Sequence, residues 1–542
     1  MRRQLLVALL AGLLVLPVRS DDGRDSVRRE QQNTSLAVSF YRLRFQLSTT
    51  ARMTRITALE TEEFLTVRFM GVQGGPDRQG VNMHSMWLGQ DAGEDSIRIT
   101  ADYAVTPEAL DEPIPYLFEK TGEGSSVLRV FNVLGEETEL LDEIHHSGTY
   151  SFEFYLDLSA LQTTSPLEGE IQNLESEKTL WAFYYLWYEL SSWDSGWLQD
   201  WPATLYSSDD PEAIDRHIHQ AQSAGIDGFI ASWWGPHSYT DENLETLLDL
   251  AQEKNFYVMI DFETLDGSEP RDEATILEWL RYLISRHGDH PALMKVDGKP
   301  VIVLWASPTV ADTAWENIFA QLEAEGLEAV FIAMFTGEWP KLDCLEVFDG
   351  LHTYNILGVI ESSDQVPTVL AQTYTNTGRG VRYYPLLADS PGPEIWAATI
   401  QPGYDDHLIP GRTAPILDRE DGELYRSTFD AAVGSDPHWI FITTWNEWWE
   451  HTYIEPSQLY TDQYLQITRE FAQELKGERG DVNGDGAVDV ADVLMCVNII
   501  LGFFEPTPDQ IWAADCSGDG TIDVLDVVGI VNVILGTGTC SP

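Results

Sequence analysis

Residues 438–456 read HWIFITTWNEWWEHTYIEP. The run from His438 to Thr444 is β-branched and aromatic and of buried-strand length, and it ends where polar residues concentrate among tryptophans. In a barrel of parallel strands the carboxyl ends of the strands carry the reacting groups. Two glutamates, Glu447 and Glu450, follow at once, flanked by Trp445, Trp448 and Trp449. Cleaving a glycosidic bond needs one carboxyl that protonates the leaving oxygen and a second carboxylate that acts at the sugar. Indole faces offer apolar platforms for sugar rings and desolvate a neighbouring carboxyl, which raises its pKa toward the general-acid range. The competing reading makes the indoles core and the glutamates solvated loop charges. A polar cluster placed directly after a buried strand weighs toward a site.

Working outward, further strands are expected at Leu180–Tyr185, Ile226–Ser232, Phe256–Phe262, Val301–Trp305, Ala329–Met334, Gly350–Tyr354 and Trp396–Gln401, with Trp439–Thr444 as the eighth. Amphipathic stretches lie between them at Pro211–Ala224, Asp241–Lys254, Glu273–His287 and Thr313–Glu325. Strands alternating with helices predict a (β/α)8 TIM-type barrel over residues 179–476. Val381–Leu387 is an alternative strand in the region of the sixth and seventh units. Upstream, over residues 36–165, the short alternating segments Leu65–Met70, Ser96–Thr100, Val127–Phe131 and Tyr150–Leu156 have the period-two pattern of an antiparallel β-sandwich. Such a domain either binds carbohydrate or packs on the barrel as an accessory. A polar linker is expected near Ser165–Lys178.

Residues 1–20, MRRQLLVALLAGLLVLPVRS, have an arginine pair, an apolar run and a polar break, which predicts a secretory signal and a secreted protein. Against 32 basic residues stand 88 acidic ones, for a net charge of −56. That balance argues strongly against nucleic acid or an anionic membrane surface as partner. Four cysteines are too few for a disulfide scaffold, but three (Cys496, Cys516, Cys540) fall near the end, where export permits one bridge without fixing the pair.

The C-terminal part, residues 479–538, repeats itself: GDVNGDGAVDVADVLMCVNIILG starts at Gly480 and ADCSGDGTIDVLDVVGIVNVILG at Ala514. Each copy sets oxygen donors at loop positions 1, 3, 5, 9 and 12. These are Asp481, Asn483, Asp485, Asp489 and Asp492, then Asp515, Ser517, Asp519, Asp523 and Asp526. Gly486 and Gly520 occupy the sharp turn, and Ala487 and Thr521 contribute backbone carbonyls. Hard oxygen donors at this spacing, twice over, fit two calcium ions. The last ligand is Asp instead of Glu, and one apolar helix follows each loop with no clear helix in front. In these features the segment resembles the dockerin module, which implies a cohesin partner on a scaffold or cell surface. The positions that the resemblance ties to partner choice are Val490-Ala491 and Val524-Leu525, which are apolar.

The stretch from Trp181 to about Ser457 resembles the endo-α-mannosidases of glycoside hydrolase family 99. The matching pieces are Phe183-Tyr-Tyr-Leu-Trp-Tyr188, Tyr206-Ser-Ser-Asp-Asp-Pro211, Ala224-Gly-Ile-Asp-Gly-Phe229, Ser232-Trp-Trp-Gly-Pro236, Gly288-Asp-His-Pro-Ala292, Pro402-Gly-Tyr-Asp-Asp406 and Trp445-Asn-Glu-Trp-Trp-Glu450. The resemblance implies that Glu450 is the general acid and later the base for water. It implies that Glu447 takes the proton of the sugar's own 2-hydroxyl, giving a 1,2-anhydro intermediate and overall retention. Substrate binding is expected at Tyr188, Trp234, Glu263, Tyr404 and Asn446; for Tyr188 and Trp234 core packing is the alternative. No cofactor is expected for the chemistry. The chain departs from the family pattern at Trp449, His451 and Tyr453, where His, Gly and Gln are usual, and in the shortened loop Ser192–Trp197. An α-mannan or related glycan is the expected substrate; a non-catalytic carbohydrate-binding barrel anchored by its dockerin is the alternative.

Overall fold

The computed structural model describes residues 30–540 except 61–63, 75, 77, 91–95, 136, 149–150, 176–177, 338–339, 389, 391, 478, 505 and 519. The expected signal at 1–20 and the ligand position Asp519 lie outside the described residues. Among the described residues no helix is long and apolar enough to cross a membrane.

Eight parallel strands close into a barrel: β1 Thr179–Tyr185, β2 Gly228–Trp233, β3 Tyr257–Glu263, β4 Lys299–Trp305, β5 Val330–Met334, β6 Gly350–His352, β7 Ile395–Ile400 and β8 Trp439–Ile442. Closure runs through β1 pairing with β8, with Leu180 opposite Ile440, and β3 pairing with β4, with Ile260 opposite Ile302. The strands are near-continuous apolar runs because side chains on both faces are covered. Trp181, Phe183, Ile230, Met259, Val303, Ile332, Trp439 and Phe441 fill the interior. Outside lie helices α1 Pro211–Ser223, α2 Tyr239–Glu253, α3 Glu273–His287, α4 Asp312–Ala324, α5 Ala371–Tyr383, α6 Glu423–Gly434 and α7 Gln463–Lys476. Side-chain caps start three of them: Asp210 accepts from the Glu212 amide, Ser238 from Asp241 and Asp272 from Thr275. Among the described residues no α-helix separates β5 from β6, where the chain makes the 3₁₀ turn Leu342–Glu346. Val381–Leu387 is the end of α5 and a 3₁₀ turn, so the alternative strand there does not form.

The N-terminal part is two packed antiparallel sheets, as the alternation predicts. The long strand Glu30–Thr49 pairs with Ile97–Val105 and Ser126–Leu134 in one sheet, and Met53–Ala58, Ser85–Gly89 and Ile114–Thr121 pair in the other. Leu43, Phe45, Leu47, Ile99, Leu128 and Val130 meet Ile56, Met86, Leu88, Tyr116 and Phe118 between them. The stretch read as a polar linker is instead the strand Leu167–Glu175, paired along Glu30–Thr49 with Leu36 opposite Ile171. Its many polar residues hid a short alternation: Leu167 and Ile171 pack with Phe40, Leu386 and Leu387, and backbone pairing along Glu30–Thr49 does the rest. The sandwich packs on the barrel: the Thr66 hydroxyl donates to Gly380 O (2.9 Å), the Phe69 amide to Asp343 Oδ1 (3.0 Å), and Arg68 grips Glu346 with two bonds.

The C-terminal repeats form helices α8 Val490–Ile500 and α9 Val524–Ile534. A short helix, Pro508–Ala514, also precedes the second loop, contrary to expectation. Its start is a Thr507/Gln510 capping box with proline in the first turn, and its seven residues are too few for a periodic signal. Cys516 and Cys540 are bridged, whereas Cys344 and Cys496 are free.

This region docks at the amino end of β2, the opposite end from the β8 loop. Trp512 is buried there, its Nε1 donating to Gly477 O (3.0 Å) with the Arg479 guanidinium 3.9 Å over its ring. The seat exists because Gly225 has no side chain: a Cβ at this residue, whose φ is +77°, would stand 2.3 Å from Ala472 Cβ and 2.9 Å from the indole. Gly225→Ala is therefore expected to destabilise the full chain by about 2 kcal/mol, combining backbone strain with overpacking. Gly196→Ala, at φ +76° with open space around it, is expected to cost only the strain, about 1 kcal/mol. Denaturant unfolding of both variants checks this, and equal losses would contradict the docking.

Candidate active site

Beyond β8 the chain folds back on itself and is tied to its neighbours by backbone bonds. Thr443 N donates to Ile400 O (2.9 Å), Thr444 N to Thr452 O (2.9 Å) and Trp445 N to Phe183 O (2.8 Å). The Asn446 amide bridges to β1, accepting from Tyr185 N (2.7 Å) and donating to Tyr185 O (3.0 Å) and the Tyr206 hydroxyl (3.1 Å). Asn446 is fully buried, so it positions the loop by filling its own hydrogen-bonding capacity with protein groups.

The three tryptophans divide between the two readings. Trp445 is core, packed on Phe229, and Trp448 is core, stacked on Tyr453 at 3.8 Å with its Nε1 on Glu455 Oε2 (3.0 Å). Trp449 is partly exposed, parallel to Trp187 at 5.9 Å and edge-on to Trp197 at 5.7 Å. Trp234, 38% exposed, stands against Trp187 at 5.7 Å. The partly exposed indoles Trp187, Trp197, Trp234 and Trp449 thus form one aromatic rim.

Glu447 is 4% exposed and the Glu450 side chain 18%. The Glu447 amide donates to Thr444 Oγ1 (2.7 Å), and its Oε1 accepts from Trp449 N (3.1 Å) and from the Tyr188 hydroxyl (3.4 Å). Tyr188 in turn accepts from Trp448 N (3.0 Å) and stacks on Trp193 at 4.9 Å, so it is both packed and in contact with the acid. Burial, then the charge of Glu450, hold the Glu447 carboxyl well above its usual range, against the opposing bonds from Trp449 and Tyr188. Burial also raises Glu450, to about 7; Arg412 opposes the rise, Asp406 adds to it, and the Tyr404 hydroxyl opposes it. Tyr404 donates to Asp406 Oδ2 (2.9 Å), and Arg412 Nη1 lies 3.8 Å from Asp406 and 3.9 Å from Glu450. Two carboxyls within each other's field, at least one able to hold a proton near neutrality, are the equipment of acid–base cleavage.

Glu263 ends β3 with its Oε1 accepting from Ser232 Oγ (3.0 Å); burial raises its pKa to about 8. Several groups around the glutamates escaped the sequence reading. Tyr185 and Tyr354 share a hydroxyl–hydroxyl bond of 2.5 Å, and the charges of both glutamates act on Tyr354. Glu455 accepts from Tyr206 (3.0 Å) and Trp448 and meets His217 at 3.1 Å. Inward alternation along β1 could have revealed Tyr185; nothing local marks Arg412, which reaches the site from a loop.

In the C-terminal loops, Asp481 Oδ2 accepts from Gly486 N (2.8 Å) and Asp515 Oδ2 from Gly520 N (3.1 Å). Asp492 receives the amides of Asn483 (3.0 Å) and Asp489 (2.7 Å), and Asp526 those of Ser517 (2.8 Å) and Asp523 (2.7 Å). The two loops are thus wound alike, with only oxygen donors along them, which suits a hard cation. Among the described residues the carboxylates do not close into a three-ligand cluster; several are turned onto backbone amides.

The model of glycosyl hydrolase family 99 matches residues 201–475, just over half of the 542 residues, and that of the type I dockerin domain matches residues 479–535. The chain is 26% identical over 386 residues to the glycoprotein endo-alpha-1,2-mannosidase of Mus musculus, covering 58% of this chain and 80% of that protein. It is 25% identical over 374 residues to the glycoprotein endo-alpha-1,2-mannosidase-like protein of Homo sapiens, with 57% and 78% covered. A solved GH99 endo-alpha-mannosidase from Bacteroides thetaiotaomicron superposes with a TM-score of 0.46 at 25% identity, over 55% of this chain and 97% of that one.

If Glu450 is the acid, kcat/KM falls as pH rises through about 7, where that carboxyl loses its proton. Arg412→Ala removes a charge that favours the carboxylate, so the alkaline limb should move to higher pH; Asp406→Asn should move it lower. The pH profiles of the two variants check the signs, and shifts in the same direction would contradict the assignment.

Proposed function

Because the chain belongs to glycosyl hydrolase family 99 and carries a type I dockerin domain, we propose that it is a secreted, retaining, endo-acting hydrolase of α-mannosides or a related α-glycan, held on a cohesin partner through calcium. The division is a sandwich over 36–165, a barrel over 179–476 and a dockerin over 479–538. One observation carries the chemistry: Glu447 and Glu450 stand on the same loop after β8, both desolvated, each within the other's field.

In the first step Glu447, as carboxylate, takes the proton of the sugar's 2-hydroxyl while O2 bonds to C1. The bond from C1 to the glycosidic oxygen breaks, and Glu450 gives that oxygen its proton. In the second step Glu450 takes a proton from water, the water oxygen bonds to C1, and the C1–O2 bond opens as O2 recovers the proton held by Glu447. An internal nucleophile already in place gains in effective concentration over an external one. The step draws on the form of the pair that carries one proton, with that proton on Glu450; burial and the charge of Glu450 raise Glu447 as well, so protonating Glu450 is what releases Glu447 to act as carboxylate. Tyr188 steadies Glu447, Tyr404 and Arg412 flank Glu450, Trp234 offers a face at the rim, and Glu263 accepts from sugar hydroxyls. Asn446 acts through the loop it fastens.

Calcium would be held by Asp481, Asn483, Asp485, Ala487 O, Asp489 and Asp492 in one loop and by Asp515, Ser517, Asp519, Thr521 O, Asp523 and Asp526 in the other. When bound, it offsets the repulsion among these acidic side chains and so orders the module. Exposed Val490 and Leu494 on α8, with Val524, Leu525 and Val528 on α9, supply the apolar surface for the cohesin.

Two outcomes test this reading. Glu447→Gln and Glu450→Gln should each lower kcat on α-mannan oligosaccharides by at least ~100-fold with binding retained; binding without turnover in the wild type as well would favour a non-catalytic carbohydrate-binding barrel. Adding a chelator to the full chain should reduce helical circular dichroism and loosen the C-terminal module; a spectrum indifferent to chelation would refute the calcium role.

A further inference from the structure

Asp261 lies two residues before Glu263 on β3. Alternation along the strand turns Met259, Asp261 and Glu263 to the barrel interior, and Met259 belongs to the interior cluster with Phe183 and Tyr185. The register sets Asp261 level with Ser232 of β2, which is level with Tyr185 of β1. This layer of the barrel filling holds Tyr185, whose amide donates to Asn446 Oδ1 in the loop that carries Glu447. The charge of Asp261 acts on both Tyr185 and Tyr354, the phenol pair that also feels Glu447.

The residue is 1% exposed, and its Oδ1 is buried without a hydrogen-bond partner. The neighbouring groups that could have served it are engaged elsewhere. Ser232 Oγ donates to Glu263 and accepts from Trp234 Nε1, and the Tyr185 and Tyr354 hydroxyls hold each other. A desolvated carboxyl left unpaired costs stability, and folding alone gives no reason to keep it. Such a group at the floor of a site is complete only when a ligand supplies the missing partner.

We propose that Asp261 is a substrate-contacting, specificity-determining residue: its carboxyl hydrogen-bonds a hydroxyl of the sugar ring seated over Glu447, forming with Glu263 a two-carboxyl cradle on β3. This rests on the hydrolase reading above and adds the residue that selects the ring's hydroxyl pattern. Burial raises the Asp261 carboxyl well above its usual range, so it can donate as well as accept.

The test compares wild type, Asp261→Asn and Asp261→Ala on an α-mannooligosaccharide and on a panel of its singly deoxygenated analogues. Asp261→Ala should lower kcat/KM on the parent about 10- to 100-fold. On the one analogue lacking the contacted hydroxyl, it should match wild type. Asp261→Asn should keep or raise the Tm, because a structural carboxylate is not being lost. Unchanged kcat/KM in both variants would overturn the inference, as would a loss uniform across the panel, or a drop in Tm in Asp261→Asn that accompanies the loss. A wild type that binds the oligosaccharide without cleaving it would overturn the hydrolase reading instead; the panel then reads the Asp261 contact as binding affinity, with the same pattern of expected and contrary outcomes.

Discussion

The Asn446 side chain holds the barrel's working end together. Its amide spans from the β8 loop to both backbone groups of Tyr185, so the last strand's loop is laced to the first strand where the barrel closes. Tyr206 takes the remaining amide hydrogen and passes the constraint to Glu455, which also binds Trp448 and His217. A buried network of this kind favours one geometry, and breaking one of its bonds would be costly. Glu447 and Glu450 sit on the segment that this lacing holds, and the proposed action of both carboxyls on one sugar depends on it.

Electrostatics make that placement chemically useful. In a chain with a net charge of −56, Asp406 adds negative charge beside Glu450 and the Arg412 guanidinium opposes it, while Asp261 and Glu263 on β3 are raised by burial as well. Desolvation and like charge together favour protonated forms, which raises both carboxyls and brings Glu450 to about 7, as the proposed proton exchange requires. The indoles Trp187, Trp197, Trp234 and Trp449 stand in ring contact on the same side, where apolar faces suit a sugar ring.

The barrel strands were legible because each is apolar on both faces and bounded by loops rich in Gly, Asp and Pro. Glu447 and Glu450 were legible because they follow such a run without a break. Local pattern failed where an element is held by something distant. Leu167–Glu175 is polar and exists because Glu30–Thr49 pairs with it. Arg412 and Tyr354 reach the glutamates from remote loops and strands, and Trp512 finds its seat in a notch that Gly225 leaves almost three hundred residues earlier. The tryptophans misled in part, since composition cannot distinguish Trp448, stacked on Tyr453 in the core, from Trp449 at the rim.

The dockerin region sits at the amino end of β2 and the glutamates at the carboxyl end of β8, so the two lie at opposite ends of the barrel. The central claim is that the two glutamates act on one ring through the substrate's own 2-hydroxyl. Proton NMR of the first-formed sugar, recorded before mutarotation, tests this most directly: the account predicts a product with the substrate's anomeric configuration, and an inverted product would contradict it.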